Sequence, residues 1–352
     1  MLKCLIGIVC LTLLPAMGAS ALEGSLHGSM KSFMMGVRDP LQPGDLYGLS
    51  DTTVRMQARV YPTDTLLIET AYSLSPQVLS PTLLSGGMAE TFLSAGGGSD
   101  TYRAYDFDER LYPVKAAEIN NLAVYHNFDR LYASVYLPFG DAYFGRQAIS
   151  WGSAHVINPT DIIAPYGFSS LNTEEKRGVD ALRLRLPIGA MSEVDIGYVA
   201  GPEFSIYESA AFARMRFYLT ETDISVLSMD FKENLMIGFD ASRSIGGAGS
   251  WIETAYVLPD AFSGTDPAVD QHYVNVSAGM DYNFGPKFYG YAEYHYNSAG
   301  KSNSDEYADI ELHPEDHLAY TEGSVYLRGR HYGAIGGTYQ LTPLIPVSGM
   351  LL

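Results

Sequence analysis

Arg183 and Arg185 lie two residues apart in "ALRLRLP", Arg214 and Arg216 do the same in "ARMRF", and Arg55 and Arg59 stand four apart in "RMQAR". On an extended backbone an even spacing puts both members of a pair on one face. A guanidinium there stays charged and presents a planar fork of donors. Arg130 and Arg146 are candidates for the same set, although the alternation blurs around Gly145. Two kinds of chemistry are open to such a ladder. It can face carboxylates across enclosed water and set up a field that orients dipolar solutes. It can equally pair with Glu69, Glu193, Asp195, Asp240, Glu253, Asp281 and Glu293 and serve only to stabilise a wall.

Other chemistry finds little support. No Gly-x-Ser-x-Gly elbow is present, and the eight histidines show no spacing that gathers metal ligands. His313 and His317 with Glu315 and Asp316 form a solvated charge cluster rather than a metal site. "DEYADIEL" is acidic but lacks the glycine-containing register of a calcium loop. The expectation is a protein that is not an enzyme, with no catalytic residue, no bound metal and no cofactor.

The elements that must hold these residues are strands. "HYVNVSAGMDYNF", "GPK" and "FYGYAEYHYN" form a hairpin in which Val274, Val276, Ala278, Met280 and Tyr282 share one face and Asn275, Ser277 and Asp281 the other. Val54, Met56, Ala58 and Val60 likewise alternate with Arg55, Gln57 and Arg59. About fifteen such strands of about ten residues follow one another. Short turns (PTD, PFGD, PIGAM, TET, GGAGS, GPK, LTP) alternate with longer connections, the longest near 76–129, 153–177 and 299–328. Within the first of these, Ile119, Leu122, Ala123 and His126 stand at helical spacing, which predicts a short helix over 114–128. The loop 153–177, stiffened by Pro159 and Pro165 and carrying Asn158 and Asp161, is the candidate to fold into the interior as a constriction.

"MLKCLIGIVCLTLLPAMGASA" reads as a secretory leader over residues 1–21, with Lys3 as its charge and Ala19-Ser20-Ala21 as its cleavage site. Both cysteines fall inside it, so residues 22–352 form one thiol-free domain. Without Lys3, 21 basic residues stand against 40 acidic ones, a net charge of −19. That sign excludes nucleic acid as a partner.

Alternation alone fits a soluble sandwich as well as a membrane barrel. Aromatics near the ends of apolar faces (Tyr61, Tyr72, Trp151, Tyr198, Trp251, Tyr256, Tyr282 and Phe284) tip the balance, because such rings suit a bilayer interface. So do the leader, the missing thiols and the alternating loop lengths. The fold expected is all-β, a transmembrane antiparallel β-barrel of about sixteen strands.

"GRQAISWGSAHVINPTDIIAP", with "NFDRLYASVYLPFGD" upstream and "EEKRGVDALRLRLPIG" downstream, resembles the porin-like outer-membrane barrels of Gram-negative bacteria, alginate-export-like families among them. The resemblance implies an outer-membrane lipid environment, insertion by the barrel-assembly machinery, and passive diffusion of small polar or anionic solutes. Pore-lining roles would then fall to Arg55, Arg59, Glu69, Arg146, Arg183, Arg185, Arg214, Arg216 and Glu293. A barrel that sheaths a partner, such as an electron-transfer protein, or one that houses an enzyme, are the alternatives. The chain departs from the pattern in ending on "PLIPVSGMLL" rather than on an aromatic residue. With an odd strand count, this predicts a missing closing strand and a gap between the first and last strands.

Overall fold

The computed structural model describes residues 23–38, 46–80, 102–105, 109–115, 121–165, 175–263, 271–313, 316–321, 325 and 327–352. The expected leader lies outside them, as do most of the loop 76–129 and residues 166–174. The strands are β1 (Glu23–Arg38), β2 (Leu46–Thr63), β3 (Leu66–Leu79), β4 (Glu109–Tyr112), β5 (Leu122–Leu137), β6 (Gly140–Ala148), β7 (Gly178–Ile188) and β8 (Ser192–Val199). They continue as β9 (Ala210–Leu219), β10 (Thr222–Phe231), β11 (Asn234–Ile245), β12 (Ala248–Leu258), β13 (Tyr273–Asn283), β14 (Phe288–Asn297), β15 (His331–Thr342) and β16 (Ile345–Leu351). Two short helices, α1 (Tyr307–Leu312) and α2 (Leu318–Thr321), precede β15.

These sixteen strands form one antiparallel sheet in which each long strand pairs with its sequence neighbours, while β4 is a spur on β5. No ladder joins β1 to β16, so the path is open. Several hairpins turn in two residues with φ positive at both, the geometry that matches strand twist. Gly246–Gly247 has the expected residue type, whereas Thr220–Glu221 and Lys232–Glu233 adopt the same conformation with side chains present.

The helix expected over 114–128 is not there where the structure describes it. Leu122 to Phe128 belong to β5, which pairs with β3 along its length. A bulge follows that stretch: Ala71 faces Arg130 while Tyr72 faces Phe128, so Asp129 is an extra residue in the ladder. The helical spacing lies wholly before it, on a regular ladder in which Leu122, Val124, His126 and Phe128 share one face and Ala123, Tyr125 and Asn127 the other. Since this only lengthens a strand already expected from 130, the parity of turns and loops downstream is unchanged.

The sheet's two faces differ as the alternation predicts. Val226, Ile237, Phe239, Ile252, Met280 and Ile335 point outward and are exposed. The inward face changes character along the strands. Towards the short turns it is polar, with Asp223, Ser225, Asp240, Ser242 and Glu253. Towards the long loops it is apolar: Leu227, Met229, Phe231, Met236, Ala255, Val257 and Tyr273 pack with Ile149, Trp151 and Ile163 from the loop after β6, and with Ala319 and Val325. Across β10 to β13, charge therefore lines only the short-turn half of the interior.

Candidate functional site: the inward loop and the charged wall

Beyond Ala148 the chain turns into the space enclosed by the sheet. Gly152 makes the turn with φ of +94°, and a Cβ there would lie 2.5 Å from Glu253 Oε2. Pro159 then sits inside a turn closed by the Asp161 N–H donating to Asn158 O at 3.3 Å. An extended segment in this position has no strand partner for its N–H groups, and buried backbone donors must find acceptors.

Two wall carboxylates supply them. Glu253 of β12 accepts Ser153 N (3.1 Å) and Ala154 N (3.2 Å) on Oε2, and Thr160 N (2.8 Å) and Thr160 Oγ1 (2.7 Å) on Oε1. Glu293 of β14 accepts His155 N (2.7 Å), Val156 N (3.2 Å) and Ile157 N (2.9 Å), together with Trp251 Nε1 at 3.1 Å. Both are buried, at 0% and 5% exposure, a placement that carboxylates tolerate only when hydrogen-bonded. Ser277 Oγ donates to Ile157 O at 2.6 Å, so the 2.8 Å contact to His295 Nδ1 must be donated by the ring. Ser153 Oγ also donates to Asp240.

The arginines are largely paired. Arg183 makes a two-pronged contact with Asp195 (2.8 and 2.5 Å), and Arg185 reaches Glu193 at 2.5 Å. Arg59 holds Glu69 at 2.7 Å, and Arg55 meets Asp129 at 3.1 Å and Glu175 at 3.5 Å. Arg130 is 2.7 Å from Asp129. Arg146 is 3% exposed and spans Asp180, Phe128 O and Tyr105 O, tying the 102–105 segment to the rim. Arg214 bonds Ser225 Oγ at 2.7 Å; among the described residues neither it nor Arg216 forms an ion pair. Across β7, β8 and β9, four guanidiniums thus stand against the carboxylates of Glu193 and Asp195 alone.

Below the inward loop, on the short-turn side, lies a cavity of about 650 Å³ lined by Ser153, His155, Tyr218, Asp223, Trp251 and Asp281 among others. His155 stacks on Trp251 with ring centroids 4.0 Å apart.

No family model and no curated protein matches the chain. Solved structures do. A BenF-like porin from Pseudomonas fluorescens Pf-5 superposes with a TM-score of 0.53 at 9% identity, over 94% of this chain and 82% of that one. OccAB2 of Acinetobacter baumannii gives 0.52 at 8%, over 94% and 80%. Salmonella typhi OmpF, solved in complex with daunomycin, gives 0.50 at 10%, over 93% and 88%. The fold is that of the outer-membrane porins.

Within this porin fold, the structure brings some of the residues singled out by sequence together and separates others. Arg183, Arg185, Arg214 and Arg216 form one inward patch on β7 and β9, whereas Arg55, Arg59 and Glu69 form a second cluster on β2 and β3. Glu293 sits beneath the inward loop. Asn158 and Asp161 are in that loop, but Asp161 is 3% exposed and bonds Ser150 and Lys176. The carboxylates lining the cavity therefore come from the wall.

Both tryptophans are corrections to the expected aromatic girdle. Trp151 is buried edge-on against Phe212, ring centroids 4.7 Å apart, in the interior core. Trp251 faces inward beside Glu253 and lies flat on the wall because Gly279, opposite it, has no Cβ to meet the indole. The signal was present, since Trp251 shares its strand phase with Glu253. Tyr61, Tyr198, Tyr256, Tyr282 and Phe284 do point outward and are exposed.

Proposed function

We propose that the protein is a porin-like channel of the bacterial outer membrane, passing small polar or anionic solutes by passive diffusion through a charged lumen. One observation carries the reading: a loop folded inside the sheet and fastened to the wall through six backbone N–H groups accepted by Glu253 and Glu293. A segment so held narrows an aqueous passage without closing the charged half beneath it. Arg214 and Arg216, which form no ion pair among the described residues, favour anions at the β9 wall. The fold similarity to porins supports the same reading, as does the exposed apolar outer face, which suits lipid. On this reading the protein is not an enzyme. A sheath for a partner protein would need the loop-end interior, which the chain's own side chains fill.

Reconstitution of the purified protein into planar bilayers tests the reading. Discrete conductance steps with ion selectivity are expected. Folded protein that inserts and conducts no current would overturn it.

A further inference from the structure

His155 is the titratable side chain of the inward loop that reaches the cavity, and the channel reading gives it no part. Its place is fixed from several sides. The backbone N–H is donated to Glu293 at 2.7 Å. The ring stacks on the Trp251 indole, centroids 4.0 Å apart and planes 26° from parallel, and meets Tyr291 edge-on at 5.5 Å. Gly279 lets that indole lie flat, since a Cβ there would come 2.4 Å from it. A ring packed in this way is held beside Asp281 of β13, whose Oδ2 is 3.8 Å from His155 Nε2.

The hydrogen bonds around the pair fix the tautomer. Tyr289 of β14 has one hydroxyl proton and donates it to Asp281 Oδ2 at 3.0 Å. The 3.3 Å contact between the same hydroxyl and His155 Nδ1 is then donated by the ring. Neutral His155 therefore carries its proton on Nδ1 and turns a bare Nε2 towards the carboxylate, an acceptor facing an acceptor. A second proton goes to Nε2 and makes the contact a charge-assisted one. Asp281 Oδ1 accepts the Gly249 N–H at 3.1 Å, and no lysine or arginine pairs with Asp281 among the described residues. Glu253 and Glu293 are the other acids packed against this stretch of the loop, and their oxygens are taken by its backbone donors. Of the titratable groups that meet the ring, Asp281 is the one that lines the cavity with it. A passing ion feels the sum of the two.

We propose that His155 is a specificity-determining residue of the channel: unprotonated, it leaves the Asp281 carboxylate to favour cations, and protonated, it cancels that charge and moves passage towards anions. The inference rests on the channel reading and deepens it with a switch of the kind a histidine makes between about pH 8 and pH 5.

Single-channel reversal potentials of the full chain in a salt gradient, taken at about pH 8 and about pH 5, read the switch. The cation-to-anion permeability ratio of the wild type should fall about fivefold on acidification, the factor that one unit charge about 4 Å from an ion carries in water. His155→Phe keeps a ring on Trp251 but takes no proton, and His155→Gln keeps a donor for the Tyr289 oxygen; both should lose most of that fall. Tryptophan emission of the detergent-folded protein follows the same proton without any current, because an imidazolium stacked on an indole quenches it. Emission should drop on acidification in the wild type, and the drop should be absent from both variants. A permeability change as large in the variants as in the wild type, or a quench that survives them, would overturn the proposal. A protein that folds and conducts nothing removes the channel and the selectivity role with it; one that conducts with a ratio unmoved by pH keeps the channel and removes the role.

Discussion

Glu253 is where the inward loop should be easiest to release. Glu253→Gln keeps the shape of the side chain but leaves one oxygen, enough for the pair of donors from Thr160 at 2.8 and 2.7 Å or for Ser153 N and Ala154 N at 3.1 and 3.2 Å, not for both. The new amide N–H₂ faces the other two donors. At about 1–3 kcal/mol for each buried donor left without an acceptor, the substitution costs about 2–6 kcal/mol, and Glu253→Ala, which strands all four, up to about 12 kcal/mol. The loop can open, so it need not bear the whole cost closed; the cost appears as a shift towards the open state. Even about 2 kcal/mol raises the open population about thirtyfold. Hydrogen exchange reads this directly: amides of 153–160 should exchange at least about thirtyfold faster in Glu253→Gln, while those of β11 to β14 keep their protection. Asp240→Asn, which touches the loop only through Ser153 Oγ, should change little. Exchange over 153–160 within about threefold of wild type would refute the view that Glu253 fastens the loop.

Changing Arg183 and Arg185 to glutamate turns the β7–β9 patch from cation-rich to acid-rich and should move single-channel reversal potentials towards cation selectivity; an unchanged reversal potential would deny the patch a part in ion choice. Phe212→Ala, which removes the partner of Trp151 from the interior core, should cost about 3–5 kcal/mol in a denaturant titration, and a loss below about 1 kcal/mol would show the loop-end core to be dispensable. Lysine on the outer face should be costly by depth: about 2–4 kcal/mol at Phe239 or Val226, in the middle of the apolar band, and about 0–1 kcal/mol at Asp230 near the loop end, measured by urea titration in vesicles. Equal costs at the three positions would mean that this face does not meet lipid.

The strands were legible because their alternation is unbroken over most of the chain. From Tyr273 to Asn297 the hairpin read from the sequence is the hairpin observed, since nothing interrupts the period. Legibility fails in the first half of β5, where Leu122, Ala123 and His126 stand at helical spacing although their ladder with β3 is regular. The lumen charges were legible as a set but not as roles. Glu253 and Glu293 carry the same alternation signal as Asp281, and nothing in the strand reveals that a loop about a hundred residues earlier will bring backbone donors to the first two and leave the third to line a cavity. The tryptophans failed for a different reason. A ring near a strand end meets a bilayer only on the outward face, and Trp251 shares the phase of the inward Glu253; that Gly279 makes room for it follows from a register the sequence does not print.

The change in the inner face from polar to apolar explains why those two acids are needed. A loop entering the barrel must cross from the dry packing of Trp151 and Ile163 to the wet half where the arginines lie. At that boundary its N–H groups are shielded from water yet have no β-ladder. A neutral amide could take two donors at most on its one carbonyl, whereas each carboxylate here takes three from the backbone and one more from a side chain. Their oxygens are consumed by the loop. It follows that the field felt by a solute is not set by every inward acid on the strands. It is set by those the loop leaves over, Asp223 and Asp281 among them, together with Arg214 and Arg216, which form no ion pair among the described residues although Asp195, Glu193 and Asp240 lie in their field.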